Sequence, residues 1–256
     1  MKAHETSGIA FNVGNWPLDP AKSTLIFIHG SGGSKTLWDG LVTSLAGRVN
    51  TVALDLPGHG GSEGAGKTSV KAYARLVEAF IREINAPNPV PCGLSLGGAI
   101  VQQLLLDYND RFGGGILVGT GARLRVLTTI FETIENDYDG FVKTMPALAA
   151  SKKTDRKLLE PLMEERAKCA PAVVSGDFRA CDEFDVMDRL PAIGVPVLIL
   201  SAEDDLLTPP KYGDFLEKNI PNADRAHIMD AGHLAPIEKP QEVTQAILEF
   251  LDRHSL

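Results

Sequence analysis

The sequence predicts a mostly parallel, doubly wound α/β sheet with a helical insertion, and three observations carry that expectation. Short, nearly continuous apolar runs read as strands buried on both faces; amphipathic helical patterns alternate with them; and one long stretch holds helical patterns without any strand-like run. The strands are Thr24 to Ile28, Thr51 to Leu54, Gly115 to Val118 and Val195 to Leu200. The clearest helix is Thr68 to Asn85, where Val70, Tyr73, Ala74, Val77, Phe80, Ile81 and Ile84 recur at spacings of three and four and Thr68 or Ser69 can cap the start. Leu37 to Ala46, Leu96 to Tyr108 and Glu242 to Leu251 supply further helices to cover the sheet. From Ala122 to Leu190 charged and apolar residues mix at helical spacing. Because this stretch lies between two strands, it leaves the sheet and returns, as a lid would. The expected division is a core of residues 1–121 and 191–256 with a helical lid over 122–190.

Composition narrows the function classes. A chain of 256 residues suits one large domain carrying an insertion. Hydrophobic residues at 44% and charged residues at 23% exclude a disordered or fibrous chain. With 33 acidic against 25 basic residues the net charge is -8, and no basic stripe could follow a phosphate backbone, so nucleic acid is not an expected partner. No apolar run approaches the ~20 residues that span a bilayer, and Met1 to Ile9 is polar where a signal peptide would be apolar. The expectation is a cytoplasmic protein without a membrane partner. Cys92, Cys169 and Cys181 are odd in number and lack ligand spacing, which argues against a disulfide framework and a zinc site.

The chemistry-bearing motif is Gly93-Leu94-Ser95-Leu96-Gly97, a G-x-S-x-G followed by the Leu96 to Tyr108 helix. A nucleophile elbow needs this composition because its Ser occupies a strained strand-to-helix turn, and the glycines let backbone and helix approach closely. A second match, Gly60-Gly61-Ser62-Glu63-Gly64, follows a Pro-Gly loop and precedes more glycine rather than a helix, so Ser95 is the stronger nucleophile candidate. Gly61 to Thr68 also matches the phosphate-loop pattern G-x-x-x-x-G-K-[ST], which makes a P-loop NTPase the remote alternative. Against it, Leu56 to Gly60 separate this loop from the strand that should feed it directly. His29-Gly30-Ser31-Gly32-Gly33 ends a strand and precedes a helix; small residues there leave backbone N–H groups accessible to an oxyanion.

A nucleophilic Ser needs a His to take its proton and a carboxylate to orient that His. His4 and His254 are terminal, His29 and His59 sit in turns, and His227 lies in the strand-like run Ala226 to Met229. His233 follows that strand and precedes the last helix, which brings it out at the strand's carboxyl end. The acid belongs between Ser95 and His233 in chain order. Leu200 to Pro209 offers Glu203, Asp204 and Asp205, and spacing alone leaves Asp204 and Asp205 equivalent.

With these motifs in family order, the chain resembles the α/β-hydrolase superfamily, in its small serine carboxylesterase and lactonase branch. The resemblance covers most of residues 20–120 and 190–253 and rests on HGSGG at 29–33, DLPGHGGS at 55–62, GLSLGG at 93–98, SAEDDLLTP at 201–209 and DAGHLAPIEKP at 230–240. It implies Ser95 as nucleophile, His233 as base and, through the Asp205 to Pro209 spacing, Asp205 as acid. The implied oxyanion donors are the backbone N–H groups of Leu96 and Ser31, with Gly32 as a substitute for Ser31. A Ser nucleophile argues against the branches that attack with Asp. The implied activity is hydrolysis of a small or medium acyl ester without metal or cofactor, with enol-lactone or C–C bond hydrolysis on the same residues as the alternative. Two departures carry expectations of their own. Pro89 and Pro91 stand in the strand feeding Ser95, where a central strand disfavours a missing donor. The roughly 20 residues before Thr24 are few for two leading strands, so a reduced sheet edge is expected.

Overall fold

The computed structural model describes residues 2–256; of the polar start read at Met1 to Ile9, Met1 lies outside them. Eight strands form one sheet: β1 (Lys2–Thr6), β2 (Ile9–Val13), β3 (Thr24–Ile28), β4 (Asn50–Leu54), β5 (Pro89–Leu94), β6 (Gly115–Val118), β7 (Val197–Ala202) and β8 (Ala223–Ile228). Their order is β1-β2-β4-β3-β5-β6-β7-β8. β1 and β2 run antiparallel to their neighbours and all the others are parallel.

The sheet edge is therefore complete, not reduced. Two five-residue strands fit before Thr24 because Ser7 and Gly8, both at positive φ (46° and 73°), close the hairpin in two residues. β1 is polar and β2 buries only Phe11 and Val13, so the edge lacks the fully buried apolar run that marks the inner strands. The inner strands divide their side chains between two cores by simple alternation. Leu25 and Phe27 of β3 join one core, with Trp38, and Ile26 and Ile28 join the other, with Tyr73 and Phe80.

Helices α1 (Asp39–Leu45), α2 (Val70–Glu83) and α3 (Leu96–Asp107) connect the first parallel strands, and α8 (Lys211–Asn219), α9 (Ala235–Glu238) and α10 (Pro240–His254) follow β7 and β8. The cap of α2 is Ser69 rather than Thr68: its Oγ accepts the Ala72 N–H at 3.3 Å, a bond worth about 1 kcal/mol. β7 starts at Val197, two residues later than the apolar run, because Pro196 has no N–H to give the ladder; the Val197 N–H reaches Asn222 O at 2.9 Å.

The prolines of β5 have a place in the ladder. Ser95 N–H reaches Val118 O at 3.0 Å and Pro89 O accepts Gly113 N–H at 3.2 Å, so odd-numbered residues of β5 face β6. The missing donor of Pro91 then falls opposite the residues just before Gly115, where β6 begins. Between β6 and β7 lie α4 (Thr128–Asn136), α5 (Tyr138–Ala149), α6 (Glu160–Lys168) and α7 (Pro171–Glu183). The two ends of this helical segment meet over the sheet, where the Val186 N–H reaches Ala122 O at 2.8 Å and Arg123 bridges Asp185. Among the described residues no helix is long and apolar enough to cross a membrane.

Candidate active site

Ser95 sits on the turn from β5 into α3 with φ 55° and ψ -114°, a conformation that costs a non-glycine residue free energy and that side-chain exposure at the turn requires. The glycines on either side make the turn sterically feasible. A Cβ on Gly93 would stand 2.1 Å from the Gly97 backbone, and one on Gly97 would stand 2.2 Å from Ile28 O. Strand and helix thus meet too closely for a side chain at positions 93 and 97, and Ser95 between them is half-buried in the wall of a cavity of about 350 Å³. The same cavity is lined by His233 and by apolar side chains including Leu124, Ile130, Met145, Leu162, Met163 and Phe178.

Asp205 and His233 meet at the carboxyl ends of β7 and β8. The buried His233 Nδ1 lies 2.8 Å from Asp205 Oδ2, which also accepts the Thr208 hydroxyl at 2.8 Å. Asp205 Oδ1 accepts the N–H groups of Leu207 and Thr208, both at 2.9 Å. Burial alone would raise this carboxyl, but the His233 ring and the Thr208 donors outweigh it and hold the group below the usual carboxylate range. Asp204, indistinguishable by spacing, points elsewhere: its Oδ2 accepts the Ser151 hydroxyl at 2.5 Å. The His233 loop is held from outside as well. Its backbone N–H reaches Ala149 O in α5 at 2.6 Å, and the Glu238 carboxylate accepts the N–H groups of Gly232 and Leu234 at 3.0 Å. The sequence reading missed Thr208 and Glu238, although the stretches SAEDDLLTP at 201–209 and DAGHLAPIEKP at 230–240 contain them.

Of the two backbone donors named from the sequence, Leu96 follows Ser95 directly. Leu96 is the first residue of α3, so its N–H has no intrahelical acceptor. Ser31 lines the cavity after β3. Gly32 is not an equivalent substitute, because its N–H is taken by Asp177 Oδ2 at 2.8 Å. The Ser31 carbonyl accepts Arg166 Nη2 at 2.8 Å, so the Ser31–Gly32 peptide is gripped on one side from α6 and on the other from α7.

Behind this loop lies a buried network. Asp177 also accepts Tyr73 OH at 2.6 Å and pairs with His59 Nε2 at 2.8 Å. Burial alone would lower His59, but the Asp177 charge and hydrogen bond outweigh it and raise its pKa to about 10. His29 goes the other way, to about 4, because of burial and the neighbouring His59. Its Nδ1 donates to Gly30 O at 2.8 Å while Nε2 accepts Leu56 N–H at 3.0 Å, which fixes a neutral tautomer.

The rival motifs are used structurally. Ser62 Oγ donates to Asp55 O at 2.7 Å and accepts Ala10 N–H at 2.9 Å, closing the turn after β4. In the 61–68 segment, the Lys67 N–H goes to the Tyr73 hydroxyl at 2.9 Å and α2 begins only at Val70, so lysine and threonine do not open a helix as a phosphate cradle requires. Cys92, Cys169 and Cys181 are buried and free. Among the described residues no His, Cys, Asp and Glu cluster is arranged to hold a metal ion.

Several known proteins resemble this chain along most of its length. A pimeloyl-[acyl-carrier protein] methyl ester esterase of Pectobacterium carotovorum is 27% identical over 251 residues, covering 92% of this chain and 97% of that protein. The 3-oxoadipate enol-lactonase 2 of Acinetobacter baylyi is 24% identical, covering 91% and 90%. The structure of a thermophilic esterase from Thermogutta terrifontis, solved with malate bound, superposes with a TM-score of 0.86 at 26% identity over 99% of this chain and 97% of that one. The model of the alpha/beta hydrolase family matches residues 25–246, from β3 into α10 and so six of the eight strands, and the chain belongs to that family.

Proposed function

We propose that the protein hydrolyses carboxylic esters of small or medium acyl groups through an acyl-enzyme on Ser95. The observation that carries this reading is the strained Ser95 turn opening into the same largely apolar cavity that His233 lines, with Asp205 2.8 Å behind the imidazole. In this mechanism His233 takes the Ser95 proton as Oγ attacks the ester carbonyl, and the N–H groups of Ser31 and Leu96 stabilise the oxyanion. His233 then protonates the leaving alcohol, and a water activated by the same ring releases the acid. Asp205 holds Nδ1 protonated, which leaves Nε2 free to accept, and stabilises the imidazolium. Residues 122–190 serve as the lid: their apolar side chains form the acyl pocket and exclude water from the oxyanion. Leu127, Leu148, Leu206 and Leu207 are exposed at the cavity, an apolar approach suited to a hydrocarbon chain. Lactone opening on the same residues is the second reading, supported by the enol-lactonase relative. The test is a panel of p-nitrophenyl esters and lactones together with a fluorophosphonate probe. Turnover with covalent labelling of Ser95 is expected; labelling at another serine would reject the assignment.

A further inference from the structure

We infer that Arg166 forms an anion site inside the cavity, and that the ester or lactone this protein takes carries a carboxylate. The inference rests on the hydrolase reading above and names its substrate class. Arg166 reaches from α6 into the cavity wall beside the oxyanion loop, where Nη2 holds the Ser31 carbonyl at 2.8 Å. That bond uses one donor of a five-donor fork. Nη1 is buried and, among the described residues, has no hydrogen-bond partner. It lies 3.2 Å from where a Cβ of Gly32 would stand.

A buried guanidinium is normally matched by a carboxylate, because an unpaired charge taken out of water is expensive. Among the described residues Arg166 has no such match within ion-pair distance. The nearby Asp177 is already engaged by His59 at 2.8 Å, by Tyr73 and by the Gly32 N–H, and the charged His59 cancels it. Burial lowers the Arg166 pKa from its ordinary value, yet an arginine remains a cation at any pH at which the protein is folded. The cavity wall tells the same story. In a chain of net charge -8, its lining includes Arg125 and Arg166 and, among the described residues, no Asp or Glu. Beyond the Ser31 carbonyl, a pocket meant only for hydrocarbon holds no partner for this cation; a substrate carboxylate supplies the missing counter-charge.

Arg166 could instead serve solely as a prop for the Ser31 loop, and the experiment separates the two roles. Straight-chain dicarboxylates of four to eight carbons and their neutral diamides are compared as inhibitors of p-nitrophenyl acetate hydrolysis and as ligands in thermal melts. Monomethyl and dimethyl esters of the same acids are compared as substrates. The wild type should prefer the best dicarboxylate over its diamide by about tenfold or more. Arg166→Gln should abolish that preference and lower the ratio of kcat/KM for half-ester over diester by about tenfold, while Arg166→Lys, which keeps the charge and loses the fork, should retain part of both. Wild-type indifference to the carboxylate overturns the inference. So does an Arg166→Gln variant that loses activity equally on half-esters and diesters with the ligand preference intact, since a prop for the loop affects both alike. If Arg166→Gln does not fold, the wild type and Arg166→Lys decide. If no ester turns over and no fluorophosphonate reacts, the hydrolase reading fails, and the melts still report on the anion site.

Discussion

Replacing Asp205 by Asn should lower kcat by about 10⁴-fold with the fold intact, and the reason lies in how many donors converge on this carboxylate. Four of them share its two oxygens: the Leu207 and Thr208 N–H groups at 2.9 Å on Oδ1, and the Thr208 hydroxyl and His233 Nδ1 at 2.8 Å on Oδ2. An amide offers one oxygen. If its NH2 replaced Oδ1 it would confront two backbone donors that cannot turn away, so the NH2 must replace Oδ2. There the Thr208 hydroxyl can rotate, and the imidazole can move its proton from Nδ1 to Nε2. That shift relieves the local conflict but places a hydrogen where the Ser95 proton has to go, so the base is lost without any displacement of the ring. Asp204→Asn keeps an oxygen for the Ser151 hydroxyl and loses only the charge on that hydrogen bond, a change of about 1 kcal/mol in stability, and should leave kcat within a few-fold of wild type. The assay is steady-state hydrolysis of a p-nitrophenyl ester, with circular dichroism to verify folding. Activity of Asp205→Asn within tenfold of wild type, or equal losses in the two variants, would refute the argument.

Ser95→Ala should remove about 10⁴-fold or more of kcat and all fluorophosphonate labelling, whereas Ser62→Ala should retain catalysis and lower the melting temperature, since Ser62 Oγ serves the turn after β4. Stability should fall as pH rises from about 6.5, the ordinary value for histidine, towards about 10, because folded His59 keeps a proton that the unfolded chain releases over this window. Melts across that range should show a shallower decline in Asp177→Asn; an unchanged slope would mean that another group is responsible. Millimolar Mg-ATP should neither raise the melting temperature nor be hydrolysed, and Lys67→Ala should keep ester turnover; a nucleotide-dependent shift lost in that variant would reinstate the phosphate-loop reading. Dialysis against EDTA should leave the hydrolysis rate unchanged, and a loss restored by a divalent metal would contradict the proposed mechanism.

The sequence by itself determined the inner sheet, because a strand buried on both faces has no polar positions to interrupt its apolar run: β3 and β6 fall on Thr24–Ile28 and Gly115–Val118 as read. It likewise marked the Ser95 turn, since only glycine fits where Gly93 and Gly97 meet the backbone. The β1–β2 hairpin escaped because an edge strand is half solvated and its pattern resembles a loop; its proof is the positive-φ turn at Ser7 and Gly8. What only the tertiary structure decided concerns direction and distant partners. Adjacent carboxylates look alike in sequence, but Asp205 faces His233 while Asp204 faces Ser151, because the turn after β7 sends the Asp204 N–H to Ala231 O and the Asp205 N–H back to Ala202 O. Nor could spacing reveal that the Gly32 N–H is taken by Asp177, 145 residues away, or that Arg166 reaches Ser31 across 135 residues. Such contacts depend on where the helical segment returns over the sheet. That placement is set by packing of whole apolar faces, a property no local window of sequence contains.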